Sequence, residues 1–385
     1  MKISYNWMQE YGALHKVGNN GAPTVDEFAK KFDAAGYDVE KVTFVPKEES
    51  GMLRDDYIID YHLTRNRRDM TCMMWTAKEL CGVYQIPYHD FALYGLFIPK
   101  TGWVDQVSED TDYHLYSTTS KCRMLCGRII NHVKTGKVSE WVRDCLISQG
   151  LESTHSLADI PLFCGRNSGE PMWLLDLNKL SSKEICVEEA KDSGTITYQG
   201  KAYAYNPGDV VVSCDGKVIG ISIVIFDDSV IANETTTAVA SFSGVFDVDD
   251  VRATIDRLGI ETWQGYLAAI GAAAPDVLKV INNSSGYIYE FAEGDGYEAV
   301  EIYNKYDMTR KFTTYTLDEI NTMLSTDFTY EEVKEALNNP ELMTTKIDEK
   351  RISTMFPSYR TDTKVCDIAQ SLLVYLGCGR IGRKA

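Results

Sequence analysis

The contrast between helix signals near the two ends of the chain and strand signals in its middle most strongly constrains how this chain can fold. A threonine lies three residues before a glutamate at three places near the two ends of the chain: Thr24 and Glu27, Thr316 and Glu319, and Thr329 and Glu332. That spacing lets the two side chains satisfy the first free N–H groups of a helix. The middle of the chain carries alternating runs typical of strands. The pattern predicts an α+β, multidomain protein.

Strands are predicted mainly in the middle of the chain. Val210–Ser213 and Lys217–Phe226 flank an Asp-Gly turn and predict a β-hairpin. Tyr287–Phe291 and Tyr297–Tyr303 are predicted as two further strands around a glycine-containing loop. A helix is predicted around Trp141, ending near residue 150. We place domain boundaries near residues 108 and 306, which gives segments 1–108, 109–306 and 307–385.

Apolar runs and charge exclude some classes of protein. The run Val218–Phe226 is far shorter than the roughly 20 residues that cross a bilayer, and the N-terminus has no apolar signal core. We therefore expect no membrane association and a cytoplasmic location. The net charge of -17 opposes non-specific attraction to nucleic acid, because Lys and Arg supply most of that affinity. Any nucleic-acid contact would need a local basic patch, and Arg65, Arg67 and Arg68 form the richest one.

The ten cysteines include no Cys-x-x-Cys pair, and we expect most of them to be buried reduced thiols. Cys122 and Cys126 are four residues apart, but the residues around them predict a strand, so they do not indicate a metal site.

Several motifs resemble the β subunit of bacterial phenylalanyl-tRNA synthetase. Met1–Trp7, the helix that ends in Ala-Gly-Tyr-Asp-Val-Glu, and Leu63–Asp69 are similar to its N-terminal module. Val138–Trp141 and Gly169–Leu177 resemble its editing module, and Phe356–Asp362 resembles its C-terminal core module. The resemblance implies a central mixed α/β editing-type domain flanked by two small α+β modules. It also implies a truncated, divergent paralogue, because the oligonucleotide-binding insert and the modules that hold an α subunit are not found in this sequence.

The editing residues of the family are replaced in this sequence. The family hydrolyses misacylated tRNA with a Thr-Asn pair, a histidine, a glycine-rich turn and a glutamate. The resemblance places other residues at those positions: Pro161 and Leu162, Trp173, Ile221 to Ile225, and Ser241 or Phe242. Ester hydrolysis needs groups that hold water and an oxyanion, which these side chains do not supply. We therefore do not expect inherited editing.

A pocket could persist in that place or could be filled. The residues that would line it are Pro161, Leu162, Cys164, Glu170, Trp173, Ser222 and Ser241. A filled core is favoured, because tryptophan is far larger than imidazole; a site for a more apolar ligand is the alternative. Arg166, Asp176, Glu234 and His155 are nearby in sequence, but no pair among them has the spacing of a nucleophile and a base.

The C-terminal module gives a weak metal signal. Where the resemblance implies a set of acidic magnesium ligands, Asp362 and Asp367 remain, while two glutamates are replaced by Gln370 and Ser371. Two carboxylates rarely hold Mg²⁺ alone. We predict no cofactor, with Mg²⁺ at these two aspartates as the alternative.

Three functional hypotheses remain open. The leading one is a non-catalytic or regulatory paralogue that binds an amino acid, the aminoacyl end of a tRNA or a protein partner. The second is a repurposed enzyme that acts on an amino-acid derivative through the middle domain. The third is an accessory subunit that works with a synthetase α-like chain in phenylalanyl-tRNA aminoacylation. The sequence leaves enzymatic activity undecided.

Overall fold

A computed structural model of the protein describes residues 1–11, 14–18, 21–35, 37–62, 68–84, 86, 112–134, 137–271, 274–297, 301–307, 309–337, 342–356 and 363–376. Helices α1 to α12 in these ranges are Tyr5–Met8, Val25–Ala34, Lys47–Ser50, Met73–Tyr84, Glu140–Ser148, Asp159–Ser168, Val248–Leu258, Trp263–Ile270, Ala274–Phe291, Leu317–Leu324, Tyr330–Leu337 and Val365–Leu376.

Strands β1 to β18 of the described residues are Lys2–Ser4, Val39–Val45, Asp56–Tyr61, His114–Ser117, Cys122–Asn131, Met172–Asp176, Glu184–Glu189, Gly194–Tyr198, Lys201–Tyr205, Val210–Cys214, Lys217–Ile221, Ile225–Phe226, Val239–Phe246, Asp295–Tyr297, Glu301–Asn304, Lys311–Thr316, Met343–Lys346 and Arg351–Phe356. The α+β, multidomain fold class is confirmed. No helix in the described ranges is both long and apolar enough to span a membrane.

The described residues divide into two compact units, and the first draws on residues 1–46, 55–91 and 307–385. Its two antiparallel sheets have the strand orders β1-β3-β2 and β16-β18-β17. Phe32 of α2 packs against the ring of Tyr61 on β3, with centroids 4.9 Å apart. The carboxylate of Glu79 on α4 accepts hydrogen bonds from Tyr37, at 3.0 Å, and from Tyr375 of α12, at 3.2 Å. Segments from both ends of the sequence therefore share this unit.

The second unit draws on residues 47–54 and 92–306 and contains two five-stranded sheets. One has the order β12-β11-β10-β7-β4, in which β4 and β7 are parallel. The other has the order β14-β5-β13-β6, and β15 also pairs with β5. Both sheets contribute to one apolar core, which we call the inter-sheet core; its members include Leu115, Leu125, Trp173, Val212, Phe226 and Phe242.

Most of the predicted local structure is confirmed. Thr24 and Thr316 form reciprocal capping boxes with the glutamates three residues later, and the Thr329 hydroxyl accepts the N–H of Glu332 at 3.3 Å. The hairpin also forms, since β10 pairs with β11 around Asp215 and Gly216. Its second strand ends at Ile221, however, and the chain resumes extended structure only at β12.

The strand predicted at Tyr287–Phe291 is wrong, because these residues form the last turns of α9. Their aromatic side chains recur at every second position, which is typical of a strand. The longer window shows buried residues at helical intervals, at Val277, Ile281, Ser284 and Ile288, which matches a helix packed along one side. Tertiary packing of the whole helix therefore overrides the local pattern.

Some sequence predictions fall outside the described residues. These are the motif residues Leu63 to Arg67 and the residues 357–362 that follow Phe356.

Candidate functional site

Strand pairing in the second unit brings Trp173 opposite Phe242. Trp173 lies on β6 and Phe242 on β13, and the antiparallel register makes them direct partners. Side chains of paired residues lie on the same face of a sheet. Both belong to the inter-sheet core. Trp173, at the position that resembles the family's histidine, is therefore a neighbour of Phe242 in this fold.

Aromatic rings fill the space around Trp173. Its ring centroid lies 5.2 Å from that of Phe226 and 6.0 Å from that of Tyr198, and the Phe226 ring lies 5.4 Å from Phe242. Only 6% of Trp173 is exposed. These separations are those of rings in van der Waals contact. We call Trp173, Phe226 and Phe242 the aromatic plug.

The polar edge of Trp173 is also satisfied within the core. Its indole Nε1 donates a hydrogen bond to the backbone carbonyl of Ile223 at 2.9 Å. Ile223 lies in the turn between β11 and β12, where the resemblance places a glycine-rich turn. The hydrogen bond thus ties the turn to β6, and an indole N–H cannot act as a base.

Ser222 occupies a tight position in the same turn. Its φ is +50°, its N–H donates to the carbonyl of Val210 at 2.8 Å, and its hydroxyl is buried without a hydrogen-bond partner among the described residues. A non-glycine residue rarely adopts this conformation, so the surrounding structure must hold it there. Ser222 directly precedes Ile223, whose carbonyl accepts the hydrogen bond from Trp173.

Ser241 lies away from the aromatic plug. Its hydroxyl accepts the N–H of Arg128 at 2.9 Å and donates to the carbonyl of the same residue at 3.0 Å. Adjacent strand residues point to opposite faces, so Ser241 and Phe242 cannot both face Trp173. Of the two residues considered for the glutamate position, Phe242 is the one that is paired with Trp173.

Pro161, Leu162 and Cys164 all lie on α6, which packs against α9. Phe163 of α6 contacts Tyr287 of α9, with centroids 4.9 Å apart. Burial raises the pKa of the Cys164 thiol well above its usual value, so the thiol stays protonated at neutral pH. This side chain is not poised to act as a nucleophile.

The other polar candidates have structural contacts. Asp176 begins the turn after β6: it accepts the Asn178 N–H at 3.1 Å and the Thr236 hydroxyl at 2.9 Å, and it pairs with Lys179 at 3.1 Å. Glu170 is buried immediately after Gly169, whose φ of +83° ends α6.

The remaining candidates also lack a catalytic arrangement. His155 lies 3.5 Å from Glu140, and Glu234 is exposed. Asp367 accepts the backbone N–H of Lys364 at 2.9 Å, while Asp362 lies outside the described residues.

Sequence reasoning missed Phe226, although its place at the end of the apolar run from Val218 was the available signal.

Comparisons with known proteins show what the chain is similar to. Residues 121–293 match the B3/4 domain family. The chain is 25% identical to the phenylalanine–tRNA ligase β subunit of Fusobacterium nucleatum subsp. nucleatum over 336 residues, which cover 86% of this chain and 41% of that protein. It is 21% identical to the β subunit of Streptococcus thermophilus over 361 residues, which cover 93% of this chain and 44% of that protein.

A solved structure has the same fold along nearly the whole chain. It is an N-terminal fragment of the phenylalanyl-tRNA synthetase β subunit from Pyrococcus horikoshii, with a TM-score of 0.52 and 13% identity, and the match covers 98% of this chain and 99% of that fragment. The present chain spans about two fifths of the length of the curated relatives it matches. Residues 121–293 are therefore similar to the B3/4 domain family, and most of the chain is similar to phenylalanine–tRNA ligase β subunits.

Proposed function

We propose that this protein is a non-editing β-subunit-like paralogue whose B3/4 domain serves as a binding or regulatory module and does not hydrolyse aminoacyl esters. The observation that carries the proposal is the aromatic plug. Trp173, at the position that resembles the family's histidine, is the direct cross-strand partner of Phe242, which is one of the two residues that the resemblance offers for the glutamate position.

The plug leaves hydrolysis without its chemical requirements. A general base must reach the attacking water, and hydrogen-bond donors must reach the developing oxyanion. The indole N–H of Trp173 is already bonded to the Ile223 carbonyl, and the rings of Phe226 and Phe242 offer neither function. The thiol of Cys164 on α6 is held in its protonated form by burial.

The same packing argues against a repurposed enzyme at this place. Such an enzyme would need an open cavity beside Trp173 with two or more polar groups that converge on a substrate. The contacts of Trp173 are instead aromatic rings and a backbone carbonyl that is already hydrogen-bonded.

The partners that we propose follow from the relatives. Proteins named phenylalanine–tRNA ligase β subunit point to an α-like synthetase chain or the aminoacyl end of a tRNA as the binding partner. The net charge of -17 favours the protein partner, because it opposes long-range attraction to a polyanion.

A deacylation assay tests the proposal. The substrate is the phenylalanine-specific tRNA mischarged with tyrosine. It is mixed with an excess of the purified protein, so that a single turnover is observed. An editing-competent synthetase serves as the positive control. We expect decay at the rate of the protein-free reaction. Deacylation well above that rate would contradict the proposal. If the S222A variant reduced that deacylation, the active group would lie beside Trp173.

A further inference from the structure

A mostly buried arginine lies outside the inter-sheet core, where α6 meets α8. The guanidinium carbon of Arg166 is 3.3 Å from the ring centroid of Trp263, the first residue of α8. Among the described residues, no carboxylate pairs with this guanidinium, and its buried Nε has no hydrogen-bond acceptor. A buried cation without an anion is unfavourable, because it loses hydration that no opposite charge replaces.

Electrostatics agree with that geometry. Burial lowers the pKa of Arg166 to about 10, while the nearby Tyr266 acts in the opposite direction. The side chain remains charged at neutral pH. The aromatic face of Trp263 offsets part of the lost hydration through a cation–π contact but provides no hydrogen-bond acceptor in the plane of the guanidinium.

Neighbouring residues hold this arrangement in a fixed geometry. Thr262 caps α8: its hydroxyl accepts the Gly265 N–H at 2.9 Å and donates to the Val224 carbonyl at 3.1 Å. A Cβ on Gly165 would lie 3.1 Å from the indole Nε1 of Trp263, so glycine permits the close approach of the indole to α6. The position of Trp263 is therefore determined from both helices.

The site extends from this partly buried pair toward solvent. Tyr266, one turn after Trp263 on α8, stacks on the indole with centroids 5.1 Å apart and planes inclined by 27°. Tyr266 is 45% exposed. The indole Nε1 of Trp263 is buried and, like Nε of Arg166, has no acceptor among the described residues. Two buried N–H donors, one on the indole and one on the guanidinium itself, thus lie without acceptors next to the exposed ring of Tyr266.

We propose that Arg166, together with Trp263 and Tyr266, forms a binding site for a small ligand that carries an oxyanion, either a carboxylate or a phosphate. Arginine presents paired N–H donors that match both groups, and a bound oxyanion would supply the missing negative charge and hydrogen-bond acceptors. The site is distinct from the aromatic plug. It does not depend on whether the B3/4 domain hydrolyses esters.

Thermal unfolding of the full chain tests the site with inorganic phosphate as the probe. Phosphate is titrated at constant ionic strength against sodium chloride, and a ligand that binds the folded state raises Tm in a saturable way. We expect saturation for the unmodified protein and an affinity at least about tenfold weaker for R166Q, because a charged hydrogen bond is lost. R252Q is the matched control, since it removes one cation from an exposed side chain of the same unit; it should behave like the unmodified protein.

A second anion identifies the class of ligand, and a second variant keeps the test valid if R166Q fails to fold. Titration with acetate in place of phosphate distinguishes a carboxylate preference from a phosphate preference. R166K retains the charge but loses the paired donors, so it should fold and still bind more weakly than the unmodified protein. The proposal is overturned if R166Q and R166K respond like the unmodified protein, or if no saturable rise in Tm appears with either anion.

Discussion

Two tryptophans of the same unit have opposite surroundings. The indole N–H of Trp173 donates to the Ile223 carbonyl, and aromatic rings pack on the side chain. The indole N–H of Trp263 has no acceptor among the described residues, and a guanidinium lies over its ring. The N–H of the first indole is paired within the core, whereas the second indole and the guanidinium over it each leave an N–H without an acceptor.

The difference shows where each kind of chemistry is available. A completed apolar core stabilises the fold but offers a substrate no polar group, so Trp173 is part of the scaffold. Unsatisfied donors near an exposed ring leave interactions that a ligand could complete. Resemblance to the family draws attention to Trp173, yet the physical chemistry of binding points to Arg166 and Trp263.

The largest expected effect comes from placing a carboxylate in the aromatic plug. F242E should lose about 5 kcal/mol of unfolding free energy at pH 7, because an unpaired carboxylate would be buried among apolar side chains. Burial would raise the pKa of this introduced glutamate in the folded state. The deficit relative to the unmodified protein should therefore be smaller near pH 4, where only the loss of the Phe242 ring and the burial of a neutral carboxyl group remain, and should grow as the pH rises. Urea unfolding monitored by circular dichroism at several pH values measures it.

Removal of each indole in turn compares the two regions directly. W173A should lose about 4 kcal/mol of unfolding free energy, as expected when a buried aromatic side chain leaves a cavity. W263A should lose only about 1–2 kcal/mol, because Trp263 is partly exposed and covers an unpaired charge. Urea unfolding of both variants checks the difference. Equal losses would mean that the two regions are equally well packed.

A conservative change isolates the hydrogen bond of Trp173. W173F keeps an aromatic ring but removes the N–H donor, which leaves the Ile223 carbonyl without its partner. We expect a loss of about 1–2 kcal/mol from this carbonyl and from the smaller ring. Unfolding in urea gives the value. No loss would show that the hydrogen bond is not formed in solution.

The smallest expected effect concerns the cap that positions Trp263. T262A removes the hydroxyl that accepts the Gly265 N–H and donates to Val224, and it should cost about 1 kcal/mol. It should also weaken phosphate binding, because the start of α8 would be held less firmly. T24A, which removes a cap from α2 in the other unit, should cost a similar amount without changing phosphate binding.

The sequence predicted well those features that depend on neighbouring residues. The capping boxes and the Asp215-Gly216 hairpin follow from local hydrogen bonding and turn geometry. The chain at Tyr287–Phe291 was mispredicted because its alternation is local, while the helix is stabilised by contacts with α6 and with the sheet.

The candidate site was only partly accessible from the sequence. The volume of Trp173 favoured a filled core. Which of Ser241 and Phe242 is paired with Trp173 could be decided only from the register of β13 against β6. The contact between Arg166 and Trp263 joins residues almost a hundred positions apart, and no local spacing signals it.

Hydrogen exchange at the indole N–H of Trp173 tests most directly whether the position that resembles the family's histidine is filled. The ¹⁵N-labelled protein is followed by NMR in D₂O, and the Trp173 signal is identified by its loss in W173F. Because this N–H is buried and bonded to the Ile223 carbonyl, we expect exchange at least about a thousandfold slower than in the urea-unfolded chain, extrapolated to the same conditions. Exchange within about tenfold of the unfolded rate would instead indicate a solvent-accessible pocket beside Trp173.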